Sequence, residues 1–322
     1  ELVVIGNPIW PEPIGNLRAA FGEFHWHTEF SGDGQRPIAE ALRCARDYLN
    51  MDYAAPGDHN TRGEHWTRTV EALDVYNAPD AFATFYGWEN GTDRGHENYY
   101  FTDPNHPLVC GGTAGFTGGH PSDVIDRLLP YSGFFGVPHH TNAVAESRKL
   151  EDDSPFWHPY PWTEPVPYLR LIEIMQCRGN QERNSYTDAW RGWQQNNHAS
   201  AQDALALGHK LGFTGGTDNH CGWPGRAYAQ QEGGLTHPPK SVILTGLWTP
   251  RVERQSVYDS LWQRHTWAVW DTRAIVWWEL NGALMGDEIE VEKGTPLVGH
   301  LRLSAEDALQ SVEVVSDGET VW

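Results

Sequence analysis

Phe21-Gly-Glu-Phe-His-Trp-His-Thr-Glu-Phe-Ser-Gly-Asp-Gly34 is the stretch on which the reading of this chain turns. It sets His25 and His27 two residues apart in an apolar run. On a β-strand, side chains at i and i+2 share a face. Both imidazoles can therefore reach one metal ion, while Phe24 and Trp26 turn the other way. Asp33 follows in a Gly-rich turn, from which a short carboxylate can swing back to the same place. Imidazole plus carboxylate is a borderline donor set, suited to Zn, Mn or Fe. The His-x-His spacing is weak alone in a chain with 16 histidines, so other polar clusters must carry the argument.

Working outward, the strand with the two histidines runs over about 20–28. Pro37 suits the first turn of a helix, and Ile38, Ala41, Leu42, Ala45, Tyr48 and Leu49 keep a helical period. A short strand from Tyr53 then delivers Asp58 and His59. Strand, helix and strand so close together make a βαβ unit, with parallel strands and a right-handed crossover. The alternation continues. A strand over 81–88 ends at Glu89, and an extended run covers 96–101. Ser122 can cap a helix to Leu129. A strand over 134–137 precedes Pro138-His139-His140, and another over 168–175 carries Glu173. Ser200 and Asp203 form a capping box for a helix to about Leu207. The strand 211–217 ends at Asp218-Asn219-His220, and a strand at 241–245, a helix at 254–263 and a strand at 266–270 follow.

From residue 275 the texture changes. Asn281-Gly282 is a hairpin signal between apolar runs, and 298–303 and 311–315 read as further strands. The expected organisation is an irregular lead-in over 1–17, an α/β barrel over 18–270, and a small antiparallel β appendage over 271–322 that reads as cut short. The stretch 151–167, rich in Pro, Trp and acid, reads as a long loop.

Composition narrows the function. Lys and Arg number 23 against 43 Asp and Glu, a formal charge of −20, which argues against a nucleic-acid partner. Metal ligands would account for part of that excess. The four cysteines, Cys44, Cys110, Cys177 and Cys221, form no C-x-x-C pair, so a zinc ribbon is out. No apolar run is long enough to span a membrane. The opening Glu-Leu-Val-Val has neither a starting Met nor a signal core, which reads as a trimmed or mature form. Bacterial cytoplasm and periplasm both stay open, as does the oligomeric state.

The polar clusters share one address. His25/His27, Asp58/His59, Glu89, His139/His140, Glu173 and Asp218/His220 each fall at the C-terminal end of an expected strand. In parallel α/β barrels the loops that carry function converge there. Helix capping explains one such residue, but not so many on separate strands.

His25-Trp26-His27 with Asp33, then Asp58-His59, Glu89, Pro138-His139 and Asp218-Asn219-His220 resembles the polymerase-and-histidinol-phosphatase (PHP) superfamily in order and spacing. The match covers roughly residues 18–270. Gly95-His96-Glu97-Asn98-Tyr99-Tyr100-Phe101, Pro138-His-His-Thr141, Leu171-Ile-Glu-Ile174 and Asn281-Gly-Ala-Leu-Met-Gly286 look like its DUF3604-type branch. The resemblance implies a distorted (β/α)7 barrel with two or three divalent ions, usually Zn, Mn or Fe. It implies that His25, His27, Glu89 and Asp218 hold one ion. His59 and His220, with Asp33, would hold a second. Glu89 would bridge to a third on His139, with His96 as a further candidate ligand, and Asp58 would orient a ligating His. The chain departs from the family at Gly57, where Thr or Ser usually precedes the Asp-His pair. His140 competes with His139, which fits the family motif better. Cys221, next to His220, stands as a spectator, a soft ligand or a partner of Cys177.

A divalent-ion cluster acidifies a bridging water and clamps the group attacked. An anionic small-molecule substrate then needs a donor wall. Arg62, Arg94, Arg178, Arg183 and Arg226 lie in loops after the motif strands, and Arg holds two ester oxygens at once. His65, His96 and His140 can protonate a leaving group. The expected activity is metal-dependent hydrolysis of a phosphate ester or related anionic ester, such as a sulfate. The alternatives are a lactone, amide or carbohydrate substrate in a pocket lined by some of the 16 tryptophans, or a non-catalytic metal-stabilised binding protein.

Overall fold

A computed structural model of the chain describes residues 10, 14–59, 61–92, 95–106, 121–139, 141–142, 159–177, 179–184, 198–226 and 242–322. The chain enters on β1 (Arg18–Glu23), buried along all but its first residue. Helix α1 (Ile38–Arg43) starts after Pro37 and continues into a π-helical turn over Cys44–Tyr48. Ile38, Ala41, Leu42 and Ala45 supply the buried face that the helical period implied. β2 (Tyr53–Ala54), α2 (Glu64–Tyr76) and β3 (Ala83–Thr84) complete two right-neighbouring parallel steps, β1 to β2 and β2 to β3.

β4 (Tyr86–Thr92), β5 (Gly95–Phe101) and β6 (Phe134–His139) follow, with α3 (Pro121–Leu128) between the last two. β7 (Leu171–Gln176) pairs with β8 (Gly179–Asn180) and, across α4 (Ala201–Ala206), in parallel with β9 (Gly212–Gly215). Ser200 and Asp203 form the expected capping box of α4. β10 (Ile243–Thr249), α5 (Arg254–Trp262) and β11 (Thr266–Trp270) end this part of the chain.

The topology departs from a mostly parallel barrel. β10 pairs antiparallel with both β1 and β11, and β4, β5 and β6 form an antiparallel meander. The described ladders make a five-stranded sheet in the order β11-β10-β1-β2-β3, with β4-β5-β6 and β8-β7-β9 as separate sheets. No closed barrel is formed among the described residues. Single parallel bridges nevertheless link the sheets: His59 with Glu89, Gly136 with Leu169, and Trp26 with Asn219. One buried cluster draws Ala20, Phe24, Tyr53, Tyr100, Phe135, Leu171 and Leu247 from all three sheets, with Val257 and Leu261 of α5 packed on it. Together with a second cluster around Trp26, Trp88 and Trp248 it fills the interior.

The last strands are β12 (Ile275–Leu280), β13 (Ala283–Leu284), β14 (Gly299–Ser304), β15 (Val315–Ser316) and β16 (Glu319–Thr320). Asn281 and Gly282 both take positive φ, 50° and 83°, and turn β12 back onto β13 as the dipeptide demands. Ile275 and Trp277 join the main core, whereas β15 and β16 are exposed. No helix among the described residues is long and apolar enough to cross a membrane.

Candidate metal centre

The β1 ladder ends at Glu23, before the histidines. Residues beyond it stay extended because Trp26 bridges Asn219 and the His27 N–H donates to the Asn219 carbonyl at 2.8 Å. Phe24 and Trp26 point into the core, 2% and 0% exposed, so His25 and His27 share the opposite face. The parallel bridge from His59 to Glu89 brings the next two motif residues to the same place.

Three overlapping groups result: His25, His27, Glu89 and Asp218; His27, Asp33, His59 and His220; and Glu89, His96 and His139. Within each, the donor atoms lie no more than 4.8 Å apart. Glu89 joins two of the groups, and its two oxygens are shared between them. Oε1 faces His96 Nδ1 at 2.5 Å and His139 Nε2 at 3.1 Å. Oε2 faces His25 Nε2 at 3.3 Å and His27 Nε2 at 3.2 Å. His27 is also common to two groups, which the sequence reading did not assign. Its ring stacks on His220 with centroids 4.0 Å apart. All these residues are buried except Asp33, whose side chain is 39% exposed.

Neighbouring side chains aim the ligand candidates. His25 Nδ1 lies 2.8 Å from Glu173 Oε2, and since an ionised carboxylate only accepts, Nε2 is left to face the centre. Ser31 Oγ holds His27 Nδ1 at 2.8 Å, and Gln176 Nε2 donates to Asp218 Oδ2 at 3.0 Å. Glu173 and Gln176 sit three apart on β7, which would put them on opposite faces of a regular strand. A register shift between Glu173 and Met175 lets both reach the centre. Gly216 leaves the room that Glu173 needs, because a Cβ there would fall 2.1 Å from Glu173 Oε2.

The electrostatics follow from burial and crowding. Burial works against a charged His25, but the carboxylates of Glu173 and Asp218 raise its pKa well above the ordinary value. For His27, burial is likewise outweighed by hydrogen bonds to Asp218 and Glu89, and the pKa rises to about 10. Burial alone would raise Glu89, yet the surrounding His59, His139 and His96 hold it well below the carboxylate range. Burial pulls His59 down to about 3. Protons on His25 and His27 are thus favoured by the carboxylates around them.

Other expected site residues are not among the three groups. Asp58 orients no imidazole: its carboxylate accepts from the Thr28 N–H at 2.5 Å and the Thr28 hydroxyl at 2.7 Å. Thr28 caps the short helical turn Glu29–Ser31, so Asp58 fixes the turn that presents Ser31 to His27. Arg62 is exposed. His65 stacks on Phe30. Arg183 is exposed, and the Arg226 carbonyl accepts from the Asn219 side chain. His140, Arg94, Arg178, Cys110, Trp157, Trp190 and Trp193 lie outside the described residues. No disulfide joins Cys221 to Cys177, and Cys221 is in none of the groups. Trp26 and Trp88 are fully buried core residues.

No family model matches the sequence, and no curated protein matches it at a significant level. Among solved structures, the chain is similar to a two-domain protein from Bacteroides vulgatus containing a predicted PHP-like metal-dependent phosphoesterase. That match has 16% identity and a TM-score of 0.47, and covers 83% of this chain and 69% of the other. A protein from Bifidobacterium adolescentis, described provisionally as a metal-dependent phosphoesterase, matches at 15% identity and a TM-score of 0.34, over 62% of this chain and 88% of its own. At such distances the likeness assigns no function, which has to come from the side chains.

Proposed function

We propose that this chain is a metal-dependent hydrolase of the PHP superfamily, holding two or three divalent ions and acting on a phosphate ester or a related anionic ester. The observation that carries the reading is the division of Glu89, whose Oε1 meets His96 and His139 while Oε2 meets His25 and His27. A structural zinc site is closed by four ligands, and a buried carboxylate shared between two histidine groups exceeds that need. The donor set of imidazoles and carboxylates fits Zn, Mn or Fe.

His25, His27, Glu89 and Asp218 would hold one ion. Asp33, His59 and His220, with His27, would hold another, and His96 and His139 would complete a third site with Glu89. Bound divalent ions supply an acidified water and a charge clamp on the ester oxygens. The protein's own part is to fix the donors in direction: Glu173 aims His25, Ser31 aims His27, and Gln176 holds Asp218. Arg62, three residues after His59, would draw in the anion, and His140 would pass a proton to the leaving group. The separate sheets, linked by single parallel bridges around one core, are read as parts of a distorted (β/α)7 barrel.

The test is hydrolysis of 4-nitrophenyl phosphate by metal-loaded protein. His25→Ala and Asp218→Ala should each abolish turnover while the circular dichroism spectrum stays unchanged. Arg62→Ala should chiefly raise KM, because an arginine orients the anion without making the nucleophile. Undiminished turnover in folded His25→Ala protein would refute the assignment. A wild type that cleaves lactones or glycans but no phosphate or sulfate ester would refute the substrate class.

A further inference from the structure

The loop carrying Asp33 and the loop carrying His220 meet a second time, away from the metal groups. Arg36 lies three residues after Asp33, and Trp223 lies three after His220. The Arg36 guanidinium sits over the Trp223 ring, 4.4 Å from its centre. Gly222 allows this approach: its φ is +64°, and a Cβ there would fall 2.3 Å from the Cβ of Arg36. Arg36 and Trp223 form one wall of a cavity of about 360 Å³, completed by Glu40, Arg43, Cys44 and Tyr48. Three residues span at most ~11 Å, so Arg36 lies within that reach of Asp33, and Trp223 within that reach of His220.

The lining has a definite chemistry. Its two guanidinium groups face a single carboxylate, Glu40, which approaches Arg36 Nη1 only at 3.5 Å. Arg43 gives one N–H to the Tyr48 hydroxyl. The buried Nε of Arg36 has no hydrogen-bond partner. Burial pushes the Cys44 thiol up, so it adds no negative charge. The cavity is therefore locally cationic in a chain with a formal charge of −20. Guanidinium forks match planar oxyanions, and the Trp223 and Tyr48 rings offer apolar faces to a ring.

We propose that this cavity receives the distal part of the substrate, a ring bearing a carboxylate or similar planar oxyanion, while the ester to be cleaved sits at the metal centre. The position of the ester at the metal centre rests on the hydrolase reading. Tight recognition of such a ring would make the enzyme selective for esters of aromatic or sugar-like acids, without any residue of the metal groups changing.

The test is calorimetric titration of the metal-loaded protein with 4-hydroxybenzoate, and with phenol as its uncharged counterpart. The acid should bind saturably, and phenol should bind about tenfold more weakly or not at all. Arg43→Gln and Trp223→Leu should each weaken 4-hydroxybenzoate by about tenfold, the loss expected for one charge-assisted hydrogen bond or one aromatic face. Arg251→Gln, which disturbs only surface pairs with Asp80 and Glu253, should bind as the wild type does. Absence of binding to the wild type would overturn the proposal. So would binding that survives both cavity variants, because the acid would then be sitting on the metals. If the probe binds in the expected pattern but no phosphate ester is hydrolysed, the cavity stands and the phosphoesterase reading falls. If esters are hydrolysed but the probe does not bind, the reverse holds.

Discussion

His25 turns its Nδ1 onto Glu173 Oε2 at 2.8 Å, although the two residues are 148 positions apart. The pair decides which imidazole nitrogen faces Glu89 and Asp218. Glu173→Gln keeps the size and can still accept the hydrogen bond, but it removes the charge behind the ring. Metal affinity should fall by about 10-fold or more, the usual cost of losing such a partner. Competition against a chromophoric chelator measures it, and an unchanged affinity would show that Glu173 does not tune His25.

Gly216 tests the same pair by crowding. A Cβ there would fall 2.1 Å from Glu173 Oε2 and 2.9 Å from the His25 Cβ. Gly216→Ala should cost about 1–3 kcal/mol of stability, the range for overpacking a filled interior. It should also lower metal content, since His25 must turn. Thermal unfolding and metal analysis of the same sample read the two effects.

Proton competition gives a third prediction. His25 is raised well above its ordinary value and His27 to about 10 from 6.5, so both carry protons at pH 7.5 in the metal-free protein. Ligating imidazoles must be neutral, so metal uptake should release protons, and affinity should fall as the pH is lowered. The sign for the metal-free fold is set by the same shift. A folded-state pKa raised from 6.5 to about 10 contributes stability that is present below pH 6.5 and is lost as the pH rises towards 10. Calorimetry in buffers of different ionisation enthalpy counts the protons. Uptake with no proton release at pH 7.5 would contradict the assignment.

Much of the centre was legible because its signals are local. The His25-Trp26-His27 alternation needed only an extended backbone, and buried Phe24 and Trp26 confirm which face is which. The Ser200–Asp203 capping box and the Asn281-Gly282 turn are likewise set by adjacent residues. What stayed hidden depends on distant pairing. Nothing near Arg18–Glu23 says that its antiparallel neighbour is Ile243–Thr249, so the sheet read as more parallel than it is. Glu173 stood out as a polar strand end, but its partner His25 lies just past the end of β1, 148 positions away. Gln176 could not be found by alternation, because the register shift beside Glu173 breaks the period of two. Asp58 misled for a related reason: an acid beside His59 suggested an imidazole partner, whereas the folded chain offers it the Thr28 N–H and hydroxyl first.

The central claim is that Glu89 joins neighbouring metal groups, and metal stoichiometry tests it most directly. Protein purified without chelator and reconstituted with Zn or Mn should hold at least about two ions per chain, as multinuclear hydrolase centres do. Glu89→Gln should lose about one or more of them, because a neutral amide cannot supply a bridging carboxylate. Elemental analysis of both proteins by plasma mass spectrometry gives the answer. A wild type that holds one ion or none after reconstitution, or a Glu89→Gln variant that keeps the full complement, would contradict the account.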